Sequence, residues 1–206
     1  MTFPDEKFGD AATYSDAYFE ELSRAAASVD RGRIAAAVAI LDKAYQRGAT
    51  LFVCGNGGSA SISNHLACDH GKLVATDTDL LPRIQSLAAN IEVITAIAND
   101  ISYAEVFTHQ LRLNGSRGDI LMTISSSGDS ENVVRAAQWA RDNGCEVIAL
   151  TGFSGGRTAK LATVNLHVAA DNYGVIEDVH QSLMHLMGQF LRQKRMSAEL
   201  IRERKF

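Results

Sequence analysis

Short apolar runs alternate with helix-periodic stretches along most of this chain. Thr50–Cys54, Ile84–Leu87, Ile120–Ile124, Val147–Thr151 and Val164–Val168 read as strands. As a set they are rich in Val, Ile and Leu, the signature of strands covered on both faces. The stretches after them, 59–71, 91–98, a short 103–114, 130–143, 157–162 and 176–194, have helical periodicity. Two alanine-rich helices, 14–28 and 33–47, precede the first strand and divide near Asp30-Arg31-Gly32. Such alternation predicts an α/β protein: a three-layer α-β-α sandwich on a five-stranded parallel sheet, flavodoxin-like, with helices at its N-terminus. Right-handed crossovers place a ligand at the carboxyl ends of the strands. At 206 residues, with no internal repeat and no low-complexity linker, residues 1–206 form one domain.

Composition narrows the function classes. A net charge of −4 gives no basic excess for nucleic acid. No apolar run reaches about 18 residues, so no membrane span is expected. Met1–Asp10 is polar and lacks the apolar core of a signal peptide. Cys54, Cys68 and Cys145 are odd in number and unpatterned, as in reduced, mostly buried thiols of a cytoplasmic protein.

Three clusters carry the chemistry. Cys54-Gly-Asn-Gly-Gly-Ser59 follows the first strand and leads into a helix. Its glycines allow backbone N–H groups and the Ser59 hydroxyl to approach an anion at a helix N-terminus. That helix carries His65 and Asp69 at i, i+4, an imidazole and a carboxylate on one face. The second cluster, Ile124-Ser-Ser-Ser-Gly-Asp-Ser130, follows the third strand, with Ser130 as expected N-cap. No lysine or arginine lies inside it, so hydroxyls and a helix dipole would hold a phosphate there. The third is the stripe Glu177, Gln181 and His185 along one face of the long terminal helix. His70, His109 and His167 are given no role.

With these clusters in this order, the chain resembles the sugar isomerase (SIS) domain family, and within it the phosphoheptose isomerases. The shared motifs are Cys54–Ser59, Ala98-Asn99-Asp100, Ile124–Ser130, Leu150-Thr151-Gly152 and Glu177-Asp-Val-His180…His185. The resemblance implies interconversion of sedoheptulose 7-phosphate and a glycero-manno-heptose 7-phosphate, for surface polysaccharide or heptose-nucleotide synthesis. It implies phosphate contacts at Ser59, Ser125, Ser126, Ser127 and Ser130, and sugar contacts at Asn56, Gly57, Gly58, Asn99 and Asp100. The family's proton-transfer pair falls on Asp69 and His185, with Asp69 in a glutamate's place. Some members bind zinc, at positions that are His65, Asp69, Glu177 and His185 here. Glu177 then replaces a neutral glutamine and faces Asp69 with a like charge. A homotetramer is implied, with the leading helices in its interface, and no nucleotide cofactor, nucleic-acid partner or membrane. Two alternatives stand: an isomerase or epimerase of another phosphosugar, and a non-catalytic relative that binds the replication initiator. The latter class lacks the catalytic pair, which is present here.

Overall fold

A computed structural model describes residues 2–206. Its sheet has five strands, β1 (Thr50–Cys54), β2 (Arg83–Ser86), β3 (Ile120–Ser125), β4 (Glu146–Thr151) and β5 (Val164–His167), in the order β2-β1-β3-β4-β5. All neighbours are parallel. The helices are α1 (Ala11–Ser28), α2 (Arg31–Gln46), α3 (Gly58–Lys72), α4 (Ile91–Asp100), α5 (Thr108–Asn114), α6 (Glu131–Asp142), α7 (Gly156–Leu161), α8 (Tyr173–Gln193) and α9 (Ala198–Glu203).

The pleat sorts the strand residues into two cores. Leu51, Val53, Met122, Ile124, Ile148 and Leu150 point to one face, under Leu41 of α2, Leu66 of α3 and Met184 of α8. Phe52, Cys54, Leu121 and Val147 point to the other, with Phe107, Leu111 and the Val133, Ala136, Ala137, Ala140 stripe of α6. This is the period-two alternation of a sheet buried on both sides. α3 and α6 therefore leave adjacent strands β1 and β3 toward opposite faces. A crevice opens at that switch of direction, where α/β sheets take ligands.

Each expected strand is present, within a residue or two. The expected helix 103–114 is divided into a 3-10 turn, Tyr103–Glu105, and α5. The break lets Val106 and Phe107, both buried, enter the core. No helix is expected after residue 194, yet α9 follows, capped by the Ser197 hydroxyl, which accepts from Leu200 N at 3.2 Å. Buried Arg192 holds this C-terminal end, donating to the carbonyls of Thr76 and Lys205 and to Asp77. Of the leading helices, α2 buries Ile34, Ala37, Val38, Leu41 and Ala44 in the first core. α1 buries only Glu21 and Ala25 and leaves Phe19 64% exposed.

Candidate functional site

The site is assembled where α3 and α8 lie side by side on one face of the sheet. The two helices run in the same direction, because each follows a parallel strand. Contacts between them advance together along both. Glu177 sits against Gly58, Gln181 touches His65, His185 touches Asp69, and His70 lies against Gly188. A Cβ at position 58 would push the Glu177 carboxylate out of this contact.

Asp69 stands between two imidazoles. Its Oδ1 is 3.4 Å from His65 Nε2, and its Oδ2 is 3.3 Å from His185 Nε2. The rings of His65 and His185 meet edge to face, centroids 5.0 Å apart. The Gln181 carboxamide lies 2.7 Å from His65 Nδ1 and 3.1 Å from His185 Nε2. Ligand atoms of His65, Asp69 and His185 all fall within 4.8 Å of one another, so these residues could hold a metal ion. Two imidazoles and a carboxylate suit a borderline divalent ion, and the amide can add an oxygen.

The expected fourth ligand, Glu177, is not in this group. Its carboxylate is one helical turn away, beside Gly58, and Gln181 occupies the place between the imidazoles. Glu177 does have its pKa raised, as like-charge repulsion would require, but by burial and then by Asp178 rather than by Asp69. The stripe Glu177, Gln181, His185 does reach the imidazoles, through Gln181. The register of α8 on α3 decides which turn of that stripe faces His65.

The second turn lies at the end of the neighbouring strand. Ser125 and Ser126 are buried. Ser125 Oγ accepts from Gly128 N at 3.2 Å, and Ser127 Oγ accepts from Asp129 N at 3.2 Å. Ser130 occupies the N-cap position of α6, yet its hydroxyl makes no capping bond. Ser126 Oγ is buried with no partner among the described residues. The first N–H groups of a helix lack intrahelical partners, so α6 presents donors beside these hydroxyls.

The two turns are joined. Asn56 and Asn132 exchange amide hydrogen bonds at 2.9 Å each way, linking the first turn to α6. Tyr103 donates to Asn56 Oδ1 at 2.9 Å, a contact the sequence reading missed. Asn99 and Asp100 are exposed at the end of α4 and bond each other at 2.8 Å. Gly57, with φ +56°, caps α3, and buried Ser59 lies in its first turn.

His70 and His180 are fully buried, and burial lowers the pKa of each to about 4. His180 Nε2 faces the Thr151 carbonyl at 3.3 Å, which fixes α8 on β4. His167 lies 3.1 Å from the Thr151 hydroxyl. All three cysteines are free, but only Cys54 is buried; Cys145 is half-buried and Cys68 exposed, contrary to the expectation of mostly buried thiols.

Residues 14–152 match the family model of the SIS domain. A phosphoheptose isomerase of Mycobacterium tuberculosis is 39% identical over 164 residues, covering 78% of this chain and 83% of the relative. One from Synechocystis is 38% identical over 154 residues, covering 75% of this chain and 79% of the relative. The solved structure of a phosphoheptose isomerase from Neisseria gonorrhoeae superposes with a TM-score of 0.81 at 30% identity, covering 88% of this chain and 98% of that one.

Proposed function

Since the chain belongs to the SIS domain family and, within it, to the phosphoheptose isomerases, we propose that it interconverts sedoheptulose 7-phosphate and a glycero-manno-heptose 7-phosphate. The observation that carries this reading is the Asp69 carboxylate set between His65 and His185, in a chain whose serine turn offers an uncommitted Ser130 hydroxyl. The first arrangement suits proton transfer and the second suits a phosphate.

An aldose–ketose isomerisation moves one proton between neighbouring carbons through an enediol. Asp69 takes the proton from C1 of the ketose as the C2 carbonyl oxygen accepts one from His185. The O1 hydroxyl then gives up its proton and C2 is protonated, so the product is an isomer with no net change in atoms. The Asp69 carboxylate and the His185 ring lie 3.3 Å apart, close enough to serve neighbouring carbons, and His65 supports the carboxylate from the other side. Ser59, Ser125, Ser126, Ser127 and Ser130 with the α6 N-terminus bind the phosphate. Asn56, held by Tyr103 and Asn132, orients the sugar, together with Gly57, Gly58, Asn99, Asp100 and the half-buried Glu177. His65, Asp69, Gln181 and His185 would hold a divalent ion, with zinc the best fit to that donor set. Such an ion supplies polarisation of a carbonyl–hydroxyl pair.

Residues 1–206 act as one domain in a homotetramer, supported by the exposed apolar side of α1. A cytoplasmic location agrees with three free cysteines; among the described residues no helix is long and apolar enough to cross a membrane.

The test is incubation with sedoheptulose 7-phosphate and detection of an aldoheptose 7-phosphate. Asp69→Asn should keep the fold and lose about a hundredfold or more in rate. Turnover of a different phosphosugar alone would reassign the substrate. Undiminished turnover by Asp69→Asn would remove the proposed base.

A further inference from the structure

The serine turn contains no cation, and it carries two carboxylates, Asp129 and Glu131, on either side of Ser130. A sugar phosphate approaching this turn is repelled by both. One residue from another turn answers both charges. Arg157, at the start of α7, donates from Nε to Asp129 Oδ1 at 2.6 Å and from a terminal nitrogen to Glu131 Oε2 at 2.8 Å. Its other terminal nitrogen donates to the Asp129 carbonyl at 2.9 Å, and its backbone N–H to Asp129 Oδ1 at 3.3 Å. Glu131 is shared with Arg135, whose Nε donates to Oε1 at 2.7 Å.

The backbones of the two turns are also locked together. Gly152 N donates to the Ser126 carbonyl and Thr158 N to the Gly128 carbonyl, both at 2.9 Å. Gly128, at φ +61°, packs so close to Gly155 and Gly156 that no side chain fits at 128 or 156. Arg157 is therefore delivered to Asp129 by the contact that shapes the serine turn.

We propose that Arg157 is a positioning residue for the phosphate: it neutralises Asp129 and Glu131 and turns the Asp129 carboxylate away from the α6 N-terminus. The inference rests on the phosphate-binding reading of that turn. The ion pairs have about half their side-chain surface exposed, where such pairs add little to stability. Their consequence is electrostatic. The hydrogen bonds from Arg157 hold the Asp129 carboxyl below its ordinary pKa, and those from Arg135 and then Arg157 do the same for Glu131. Both are thus anionic wherever the enzyme would meet a phosphate dianion. Released from Arg157, the Asp129 carboxylate is free to accept from the N–H groups at the start of α6, as aspartate does at helix N-termini. It would then compete with the phosphate for the same donors.

The experiment compares the wild type with Arg157→Ala, Arg157→Lys, Asp129→Asn, the Arg157→Ala/Asp129→Asn double variant and Ser130→Ala. KM and kcat for sedoheptulose 7-phosphate are measured, with the inhibition constant of inorganic phosphate. Arg157→Ala should raise KM and the phosphate inhibition constant by about tenfold, with kcat within about twofold. Asp129→Asn in the same chain should restore most of that loss, although it restores no contact to Arg157. Arg157→Lys, which keeps the charge and loses the fork, should fall between. If Arg157→Ala does not fold, Arg157→Gln carries the same comparison. Ser130→Ala is the control for the site itself. Unchanged constants in Arg157→Ala with raised constants in Ser130→Ala would overturn the role of Arg157 alone. A double variant as poor as the single would also overturn it, leaving a merely structural contact. Unchanged constants in Ser130→Ala would overturn the phosphate site and this inference with it.

Discussion

At the scale of single residues, the cluster around Asp69 depends on which side chains of α8 reach α3. His65 and Asp69 share a helix face by their spacing, and their 3.4 Å approach follows from it. His185 comes from 116 residues further along the chain than Asp69 (185 − 69) and closes the group only through tertiary packing. Glu177 was the expected ligand, and Gln181 lies one turn further along the same stripe. The structure separates them, because Glu177 abuts Gly58 while the Gln181 amide touches both imidazoles. A divalent ion should therefore respond to Gln181 and not to Glu177. Gln181→Leu should lose about tenfold in affinity, the lower end for loss of a metal-site partner, and Glu177→Gln should lose none. Competition against a chromophoric chelator measures both without any turnover. The opposite order would return Glu177 to the ligand set.

At the scale of elements, α8 is tied to its neighbours by two buried neutral histidines. The Met184 carbonyl can only accept, so His70 Nε2 carries the hydrogen at 3.1 Å, and Nδ1 accepts from the Tyr45 hydroxyl at 2.8 Å. His70 thus joins α2, α3 and α8 directly behind Asp69. His180 likewise donates Nε2–H to Thr151, and its Nδ1 has no partner among the described residues. Burial holds both near a pKa of about 4 in the folded chain, against about 6.5 when unfolded. Below the higher value the unfolded chain takes up protons that the native one refuses. Stability is therefore full above about pH 6.5 and falls as pH drops toward 4, by at most about 1.4 kcal/mol per pH unit for each histidine. Urea denaturation between about pH 7 and pH 5 should show that slope. It should be flatter in His180→Gln, which has no ring to protonate. An equal slope in the variant would put the titration elsewhere.

At the scale of the whole molecule, the two leading helices have different fates. α2 is absorbed into the layer over the sheet. α1 rests on α8, with Tyr18 donating to Asp178 at 2.6 Å, and turns Phe19 outward. Leu186 and Phe190 of α8 are also partly exposed. Apolar side chains on one chain's outer helices favour a closed symmetric assembly. Light scattering at micromolar concentration should give a particle about four times the 22.2 kDa chain. A 22.2 kDa particle would show that the single chain is sufficient.

The chain itself determined the class of fold and the three motif clusters. Apolar runs of strand length alternating with helix-periodic segments permit little but a parallel sheet between helices, and glycine–serine turns after strands have one natural place in it. These are local properties, written in spacing. The break at Val106–Phe107, the C-terminal helix held by Arg192, the choice of Gln181 over Glu177 and the reach of Arg157 to Asp129 were not legible. Each is a contact between segments far apart in sequence, set by the register of one helix or turn on another. That register follows from how whole side chains interlock in the core. No periodicity within a single segment encodes it.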